Sequence, residues 1–178
     1  MTGYRRAVVS GLVFGLHEVT LNAGAGRIFG VSPAGNVENV YNVQCADVYL
    51  WCREDGYIDY ICPQVYFGLE HERFDFVKVC HTYQNMIQTD DVKLVVGMTF
   101  GKAFSQEDPW AGSGKDEWKD HQDVLARSLL STLDLVRCKG VSVFCYQYFF
   151  DPITGEPIEE TAAERENFVP ALKEISWN

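Results

Sequence analysis

Apolar runs of strand length recur four times along this chain, and each run ends in polar or aromatic residues. The runs begin at Arg27, Ile58, Val92 and Gly140, and the stretches between them show the apolar spacing of helices. Strands that are apolar on both faces are typical of a parallel sheet covered by helices. The alternation therefore predicts an α/β fold of four βα units, a parallel (βα)4 half of a TIM-type (β/α)8 barrel.

The same spacing predicts five helices, at about 4–20, 40–53, 74–87, 118–138 and 161–177. The first superficially resembles a signal peptide, but serine and glycine dilute its apolar run and no clear cleavage site follows. An amphipathic helix fits better. We expect its apolar face to consist of Val8, Val9, Leu12, Leu16 and Val19.

Two helices carry more detailed expectations. In the second, the spacing places Cys45, Val48, Tyr49 and Cys52 on one face. At the start of the last, Thr161-Ala-Ala-Glu164 has the spacing of a capping box.

The longest irregular stretch is 103–117, which contains Pro109, Gly112 and Gly114. A loop of this length in a compact domain is usually a functional cover or a flexible excursion. We expect Glu107 and Asp108 within it to be solvated.

Composition narrows the class of protein. The 178 residues suffice for one domain, which we take to span 1–178. The formal net charge is −10 and no basic cluster is present, which argues against nucleic-acid and anionic membrane partners. No run approaches the roughly 20 apolar residues that span a bilayer. The six cysteines form no Cys-x-x-Cys pair, so we expect buried, reduced thiols, and the sequence indicates no metal site and no cofactor.

Motifs at the four strands resemble the glycosyl-hydrolase-like 10 family. They are Phe29-Gly-Val-Ser-Pro-x-Gly35, Ile58-Asp-Tyr-Ile-x-Pro-Gln-Val-Tyr66, Gly97 to Lys102, and Phe144-x-Tyr146. The second is the most specific and the last is weak alone. Cys145 stands where the family more often has serine. The resemblance covers nearly the whole chain from about Arg27 onward.

This resemblance implies a bacterial (β/α)8 barrel related to glycoside hydrolases, of which the four strands correspond to strands five to eight. The first four strands, with an aspartate-rich tip on the fourth, would then be absent. We therefore expect hydrolysis of glycosidic bonds in a bacterial or dietary polysaccharide only when the missing N-terminal half completes the barrel. The resemblance also suggests the bacterial cell envelope or exterior, although the chain shows no export signal.

Candidate ligand-binding residues follow the strands, at the end where barrel enzymes place their chemistry. Gln64 and Tyr66 end the second strand, and an amide and a phenol suit sugar hydroxyls and sugar faces. The alternative for Gln64 is that it satisfies backbone groups between strands. Ser32 and Asn36 follow the first strand. Lys102 follows the third and is suited to bind a carboxylate or a developing negative charge.

Glycoside hydrolysis normally needs two carboxyl groups. Glu70, four residues past Tyr66, is our candidate acid if its surroundings raise its pKa. Asp151, beyond the fourth strand, is the candidate second carboxylate. The alternatives are a solvated loop of charges around Glu70 and an ordinary turn at Asp151. Asp59 begins its strand, at the end of a barrel that serves stability, and is not a candidate.

Aromatic residues are dense at and just past the strand ends. The predicted rim contains Tyr66, Phe67, Phe100, Phe104, Trp110, Tyr146, Tyr148, Phe149 and Phe150. Aromatic rings bind the apolar faces of sugars, so the rim is a candidate carbohydrate platform, in which Trp110 and Tyr146 are further ligand-binding candidates. The alternative is that these rings anchor loops and fill the core.

Two other interpretations use the same residues. One is a non-catalytic carbohydrate-binding or structural half-barrel. The other is a homodimer in which two copies build one barrel, since pairing would remove the unpaired strand edges of an open sheet.

Overall fold

The structure is a computed structural model that describes residues 2–177. Its sheet has four parallel strands in the order β1-β2-β3-β4. The strands are β1 (Gly30–Val31), β2 (Tyr60–Ile61), β3 (Lys93–Thr99) and β4 (Cys138–Phe144). The helices are α1 (Thr2–Asn22), α2 (Val37–Asn42), α3 (Val48–Trp51), α4 (Phe76–Met86), α5 (Gly101–Ser105), α6 (Glu117–Asp120), α7 (Val124–Ser131) and α8 (Ala162–Glu174). The predicted α/β fold with a parallel sheet and alternating helices is confirmed. Within the described residues the sheet does not close into a barrel.

Pairing of the first three strands extends beyond their regular parts. Tyr60 of β2 is in register with Gly30 of β1. Isolated bridges then join Gln64 to Ala34 on one side and to Gly97 on the other. The polar C-terminal tips of β1, β2 and β3 therefore lie next to one another.

Helix α1 is anchored by polar contacts. His17 Nε2 lies 3.2 Å from Asp59 Oδ1, and the Phe29 backbone N–H donates to Asp59 Oδ2 at 2.6 Å. The Trp51 indole N–H donates to Ser10 Oγ at 2.9 Å. Asp59 thus ties α1 and the chain before β1 to the start of β2, which is a structural role.

The predicted helix at the N-terminus is confirmed, but most of its predicted apolar face does not face the core. The buried residues of α1 are Ser10, Val13 and His17. Of the predicted apolar residues, Val9 is half-buried and the others, Val8, Leu12, Leu16 and Val19, are exposed. The polar contacts of Ser10 and His17 determine which side of the helix faces the core. Apolar spacing alone does not predict this orientation.

The predicted helix 40–53 is divided into α2 and α3. Cys45, between them, has a left-handed backbone (φ 56°), so it does not share a helical face with Val48 and Cys52. Each short helix has its own N-terminal cap, from the Asn36 and Asp47 side chains. The separate caps account for the break.

The predicted helix 118–138 is divided as well, into α6, α7 and a 3-10 turn at Thr132–Asp134, and Cys138 already belongs to β4. The Glu164 carboxylate accepts hydrogen bonds from the backbone N–H groups of Val124 (2.9 Å) and Leu125 (3.1 Å), at the N-terminus of α7. The expected capping box is therefore wrong. Glu164 caps α7 instead of its own helix, and the Thr161 hydroxyl donates to the Tyr148 carbonyl.

The two faces of the sheet differ. On the helix side, Ile61, Leu94, Val96 and Met98 are fully buried in the core. The other face lines an open groove of about 710 Å³. Its lining includes Gly30, Tyr60, Cys62, Val95 and Ser142. In a closed barrel this face would be packed with side chains from the remaining strands.

The cysteines are free thiols, and all but the half-buried Cys145 are buried, as expected. Burial raises the pKa of the Cys52 thiol to about 12. No helix within 2–177 is both long and apolar enough to cross a membrane.

Candidate functional site

The tips of β1, β2 and β3 meet at Gln64. Its side-chain amide donates to the Ser32 carbonyl at 3.2 Å and approaches Ser32 Oγ at 3.5 Å. At Gly97 a Cβ would come within 2.6 Å of the Pro63 carbonyl oxygen, so only glycine permits this close approach of β2 and β3. Gln64 and Ser32 are therefore brought together, with Gln64 bonded to a neighbouring strand as the alternative interpretation expected.

Four aromatic side chains form a continuous row across the strand tips. Tyr66 stacks on Phe144 with ring centroids 5.9 Å apart, Phe144 meets the edge of Tyr148 at 6.3 Å, and Tyr148 contacts Phe104 at 5.5 Å. Phe144 is half exposed and Phe104 is also exposed. Burial raises the pKa of the Tyr66 phenol, so it remains a hydrogen-bond donor. We call Tyr66, Phe144, Tyr148 and Phe104 the aromatic row.

The other predicted rim aromatics lie elsewhere. Phe100 is fully buried against Phe149 and Phe168, as the core-anchor alternative expected. Tyr146 is exposed and contacts Phe150 instead of the aromatic row. The aromatic row thus contains only some of the aromatic residues at the strand ends.

The loop that carries Glu70 is held by a buried carboxylate. Glu117 accepts hydrogen bonds from the backbone N–H groups of Leu69 (3.0 Å) and Glu70 (2.9 Å). Gly68 makes room for this carboxylate, since a Cβ there would overlap Glu117 Oε2. Burial raises the pKa of Glu117, although the two backbone hydrogen bonds oppose the shift. The Glu70 side chain itself is half exposed, and its Oε1 lies 3.4 Å from His121 Nε2.

The segment 107–117 is bound to this same loop. The Glu72 N–H donates to the Ala111 carbonyl at 3.0 Å, and Glu72 Oε2 accepts from the Ser113 N–H at 3.3 Å. Gly114 lies against the Glu70 carbonyl, where a Cβ would not fit. We call residues 68–72 and 107–117 the paired loops. Their mutual hydrogen bonds make this segment an ordered part of the fold. The predicted stretch 103–117 is not wholly irregular, since α5 extends to Ser105 and a 3-10 turn spans Gly112–Gly114.

Lys102 and Trp110 are linked through Asp108. Lys102 Nζ lies 2.9 Å from Asp108 Oδ1, and the same oxygen lies 3.3 Å from the Trp110 backbone N. Asp108 is buried, so the expectation that it is solvated is wrong, whereas Glu107 is exposed. The structure thus pairs Lys102 with a carboxylate of the protein itself. Trp110 is 85% exposed on this fixed turn.

Asp151 and Asn36 each accept hydrogen bonds from backbone N–H groups two or three residues further along the chain. Asp151 Oδ1 accepts hydrogen bonds from the N–H groups of Ile153 and Thr154, both at 2.8 Å. These bonds lower the pKa of Asp151, so it remains ionised at neutral pH. Asn36 Oδ1 accepts from the Asn39 N–H at 3.2 Å as the cap of α2. Asp151 is thus engaged by the turn that the sequence offered as its alternative, and Asn36 by the start of the helix that follows it.

His71 fixes the backbone just after the first of the paired loops. Its Nδ1 accepts hydrogen bonds from the N–H groups of Arg73 (3.3 Å) and Phe74 (3.2 Å). Burial lowers the pKa of His71, which favours a neutral ring with the proton on Nε2. Within residues 2–177, no three His, Cys, Asp or Glu side chains are grouped so that they could hold a metal ion.

Sequence reasoning missed two residues. Phe144 completes the aromatic row but was noted only within a motif, because its strand period alone does not show that it lies beside Tyr66. Glu117 was not noted at all. Its contacts with Leu69 and Glu70 span almost 50 positions, and no local pattern reports such a contact.

The family model described as glycosyl hydrolase-like 10 matches residues 1–112. The match includes α1, the motifs at the first three strands, all of residues 68–72 and the first part of residues 107–117. It ends before β4, so the Phe144-x-Tyr146 motif and Asp151 lie outside it, and its extent differs from the expected one. No curated protein matches the chain.

Proposed function

The chain belongs to the glycosyl hydrolase-like 10 family, and we propose that it is the strand-five-to-eight half of a carbohydrate-active (β/α)8 barrel. In this proposal residues 1–178 form one domain that binds a bacterial or dietary polysaccharide across the tips of its strands. Glycosidic bonds are hydrolysed only when four further strands close the barrel.

The observation that supports sugar binding is the aromatic row. Flat, partly exposed rings in a continuous line suit the apolar faces of successive sugar units, and tyrosine adds a polar tip for hydroxyl groups. Gln64 and Ser32 lie at the same strand tips and offer both donors and acceptors. Trp110, on the turn that Asp108 fixes, would extend the surface on the paired loops.

For the chemistry we assign different roles to the two carboxyl groups. Asp151 is held ionised by its own turn, so it can serve only as a base or a nucleophile. Glu70 is then the proton donor, a role for which closure of the barrel would have to exclude solvent from its half-exposed carboxyl group. His121, whose Nε2 lies 3.4 Å from Glu70 Oε1, is the neighbouring side chain that would orient the Glu70 carboxyl group.

Binding is tested by calorimetry with three oligosaccharides of different linkage, cellohexaose, maltohexaose and chitohexaose. We expect at least one to bind, and Phe144→Ala to weaken that binding about tenfold, or about 1.4 kcal/mol. The matched control is Ile153→Ala, which removes a side chain that is 92% exposed and lies outside the aromatic row. Binding that survives Phe144→Ala unchanged would rule out the aromatic row as the sugar surface.

Hydrolysis is tested on the chain co-expressed with the N-terminal half of another family member. We expect release of reducing sugar ends, loss of turnover in Glu70→Gln, and sugar affinity retained in that variant. Equal turnover in wild type, Glu70→Gln and Asp151→Asn would remove both residues from the mechanism.

The second candidate function is a non-catalytic carbohydrate-binding or structural half-barrel. The engagement of Asp151 by its own turn favours it, because that carboxylate already accepts two hydrogen bonds. Sugar binding through the aromatic row with no hydrolysis by the completed barrel would select this function.

A further inference from the structure

One side of α1 carries large apolar side chains that the described chain leaves uncovered. They are Tyr4, Val8, Leu12, Leu16 and Val19, which we call the apolar row; Leu12 is 62% exposed and Tyr4 78%. The first four are spaced by four residues and therefore form one ridge along the helix. The opposite side of α1 is firmly docked through Ser10 and His17. A soluble domain rarely exposes such a contiguous apolar surface without a partner for it.

Beside this ridge, small residues leave a shallow groove along the helix. Gly3, Ala7, Gly11 and Gly15 repeat with the same spacing of four, and the three glycines have open space where a Cβ would lie. A ridge next to a groove of the same period is complementary to a second helix of the same kind. The ridge on one copy of α1 therefore fits the groove on a second copy.

We propose that the apolar row is a dimer interface, on which the α1 of a second copy packs antiparallel about a two-fold axis near Gly11 and Leu12. A two-fold axis lets one surface serve both partners. This proposal uses none of the residues assigned to sugar binding, so it stands independently of the proposed function.

Charge favours the antiparallel arrangement. Arg5 is exposed near the start of α1 and Glu18 is exposed near its end. In an antiparallel pair the end with Arg5 lies beside the partner's end with Glu18, whereas a parallel pair would place like charges together. The net charge of −10 on each copy opposes association at long range. Added salt screens that repulsion and should tighten the dimer.

The available area suits a weak, specific dimer. Full-sized aliphatic side chains bury on the order of 60–120 Å² and a tyrosine ~150 Å² or more. The apolar row would therefore bury roughly 500 Å² per partner, or about 1,000 Å² in all, the lower limit for a specific interface. A groove of about 380 Å³ between Tyr4, Val8 and the exposed Val43 continues the surface.

The test measures the mass of the full chain by sedimentation velocity from ~1 to ~200 μM, a range centred on micromolar affinity. We expect the mass to rise with concentration from 20.2 kDa to twice that value. Leu12→Glu should keep the chain monomeric, and Gly11→Leu should do so without disturbing the monomer, because the added side chain enters open space. The matched control, Val136→Glu, changes an exposed apolar residue away from α1 and should still dimerise.

Orientation is tested by introduced cysteines under mild oxidation. An antiparallel pair brings the two copies of Leu12→Cys together and keeps the two copies of Tyr4→Cys at opposite ends. We therefore expect covalent dimers from Leu12→Cys and few from Tyr4→Cys. A wild-type mass of 20.2 kDa throughout, a dimer that persists in both α1 variants, or the reverse crosslinking result would each overturn the proposal. Binding of the monomer to lipid vesicles would assign the row to a membrane surface instead.

Discussion

At the scale of single residues, two buried glutamates hold the N–H groups of segments distant from them in sequence. Glu117 accepts from Leu69 and Glu70, and Glu164 accepts from Val124 and Leu125. Each carboxylate thereby satisfies donors that would otherwise be buried without a partner. Burial raises the pKa of both glutamates above the ordinary value of 4.5, and the hydrogen bonds only partly offset it.

These shifts predict a pH dependence of stability. The folded chain binds more protons than the unfolded chain between pH 4.5 and the raised pKa values. The stabilising contribution is therefore complete below pH 4.5 and is lost as the pH rises through those values. Urea unfolding of Glu164→Gln at several pH values should show a shallower decline than the wild type. The exposed neighbour Glu166→Gln should match the wild-type slope, and equal slopes for all three proteins would contradict the prediction.

Gly68 predicts a steric effect. Gly68→Ala would place a methyl group on the Glu117 carboxylate and should lower the free energy of unfolding by about 2 kcal/mol, through lost hydrogen bonds to Leu69 and Glu70. Gly3→Ala, in open space on α1, should leave stability unchanged or raise it slightly. Chemical denaturation of the two variants gives the comparison, and equal stabilities would refute the steric argument.

At the scale of elements, the sequence predicted the position of a helix or strand correctly where one periodic apolar face packs against the core. Helix α4 and strand β3 lie where the apolar spacing placed them, and Tyr83 and Leu94 are fully buried. The apolar spacing gave the wrong helix boundary where a side chain distant in sequence caps the helix. Glu164 starts α7 from 40 positions away, and no local pattern contains that contact. The candidate site shows the same limit: Gln64, Tyr66 and Ser32 were named at the strand tips, but Phe144, the partner of Tyr66 on β4, was not singled out.

The attachment of α1 gives the prediction at this scale. Asp59→Ala removes the acceptor of the Phe29 N–H and of His17, so α1 and β1 should loosen together, at a cost of about 1–3 kcal/mol. Hydrogen exchange should accelerate across residues 2–31 and remain unchanged in α4. Asp90→Ala, which removes an almost fully exposed carboxylate, is the control. Faster exchange spread evenly over the chain would contradict a local anchor.

At the scale of the whole molecule, one core joins the sheet to helices from both ends of the chain. Val13 of α1 and Phe168 of α8 belong to the same buried cluster. We therefore expect one cooperative unfolding transition, with far-UV circular dichroism and tryptophan fluorescence changing at the same urea concentration. Separate transitions would divide the chain into more than one domain.

The paired loops have a consequence for cleavage by proteases. Lys115 presents an exposed trypsin site between the 3-10 turn at Gly112–Gly114 and α6, and its neighbours are fastened to residues 68–72 by backbone and carboxylate hydrogen bonds. A protease must draw its substrate into an extended conformation, so cutting there requires these bonds to open first. Trypsin should therefore spare this segment in the native protein, and a nick after Lys115 would report that the loops have separated.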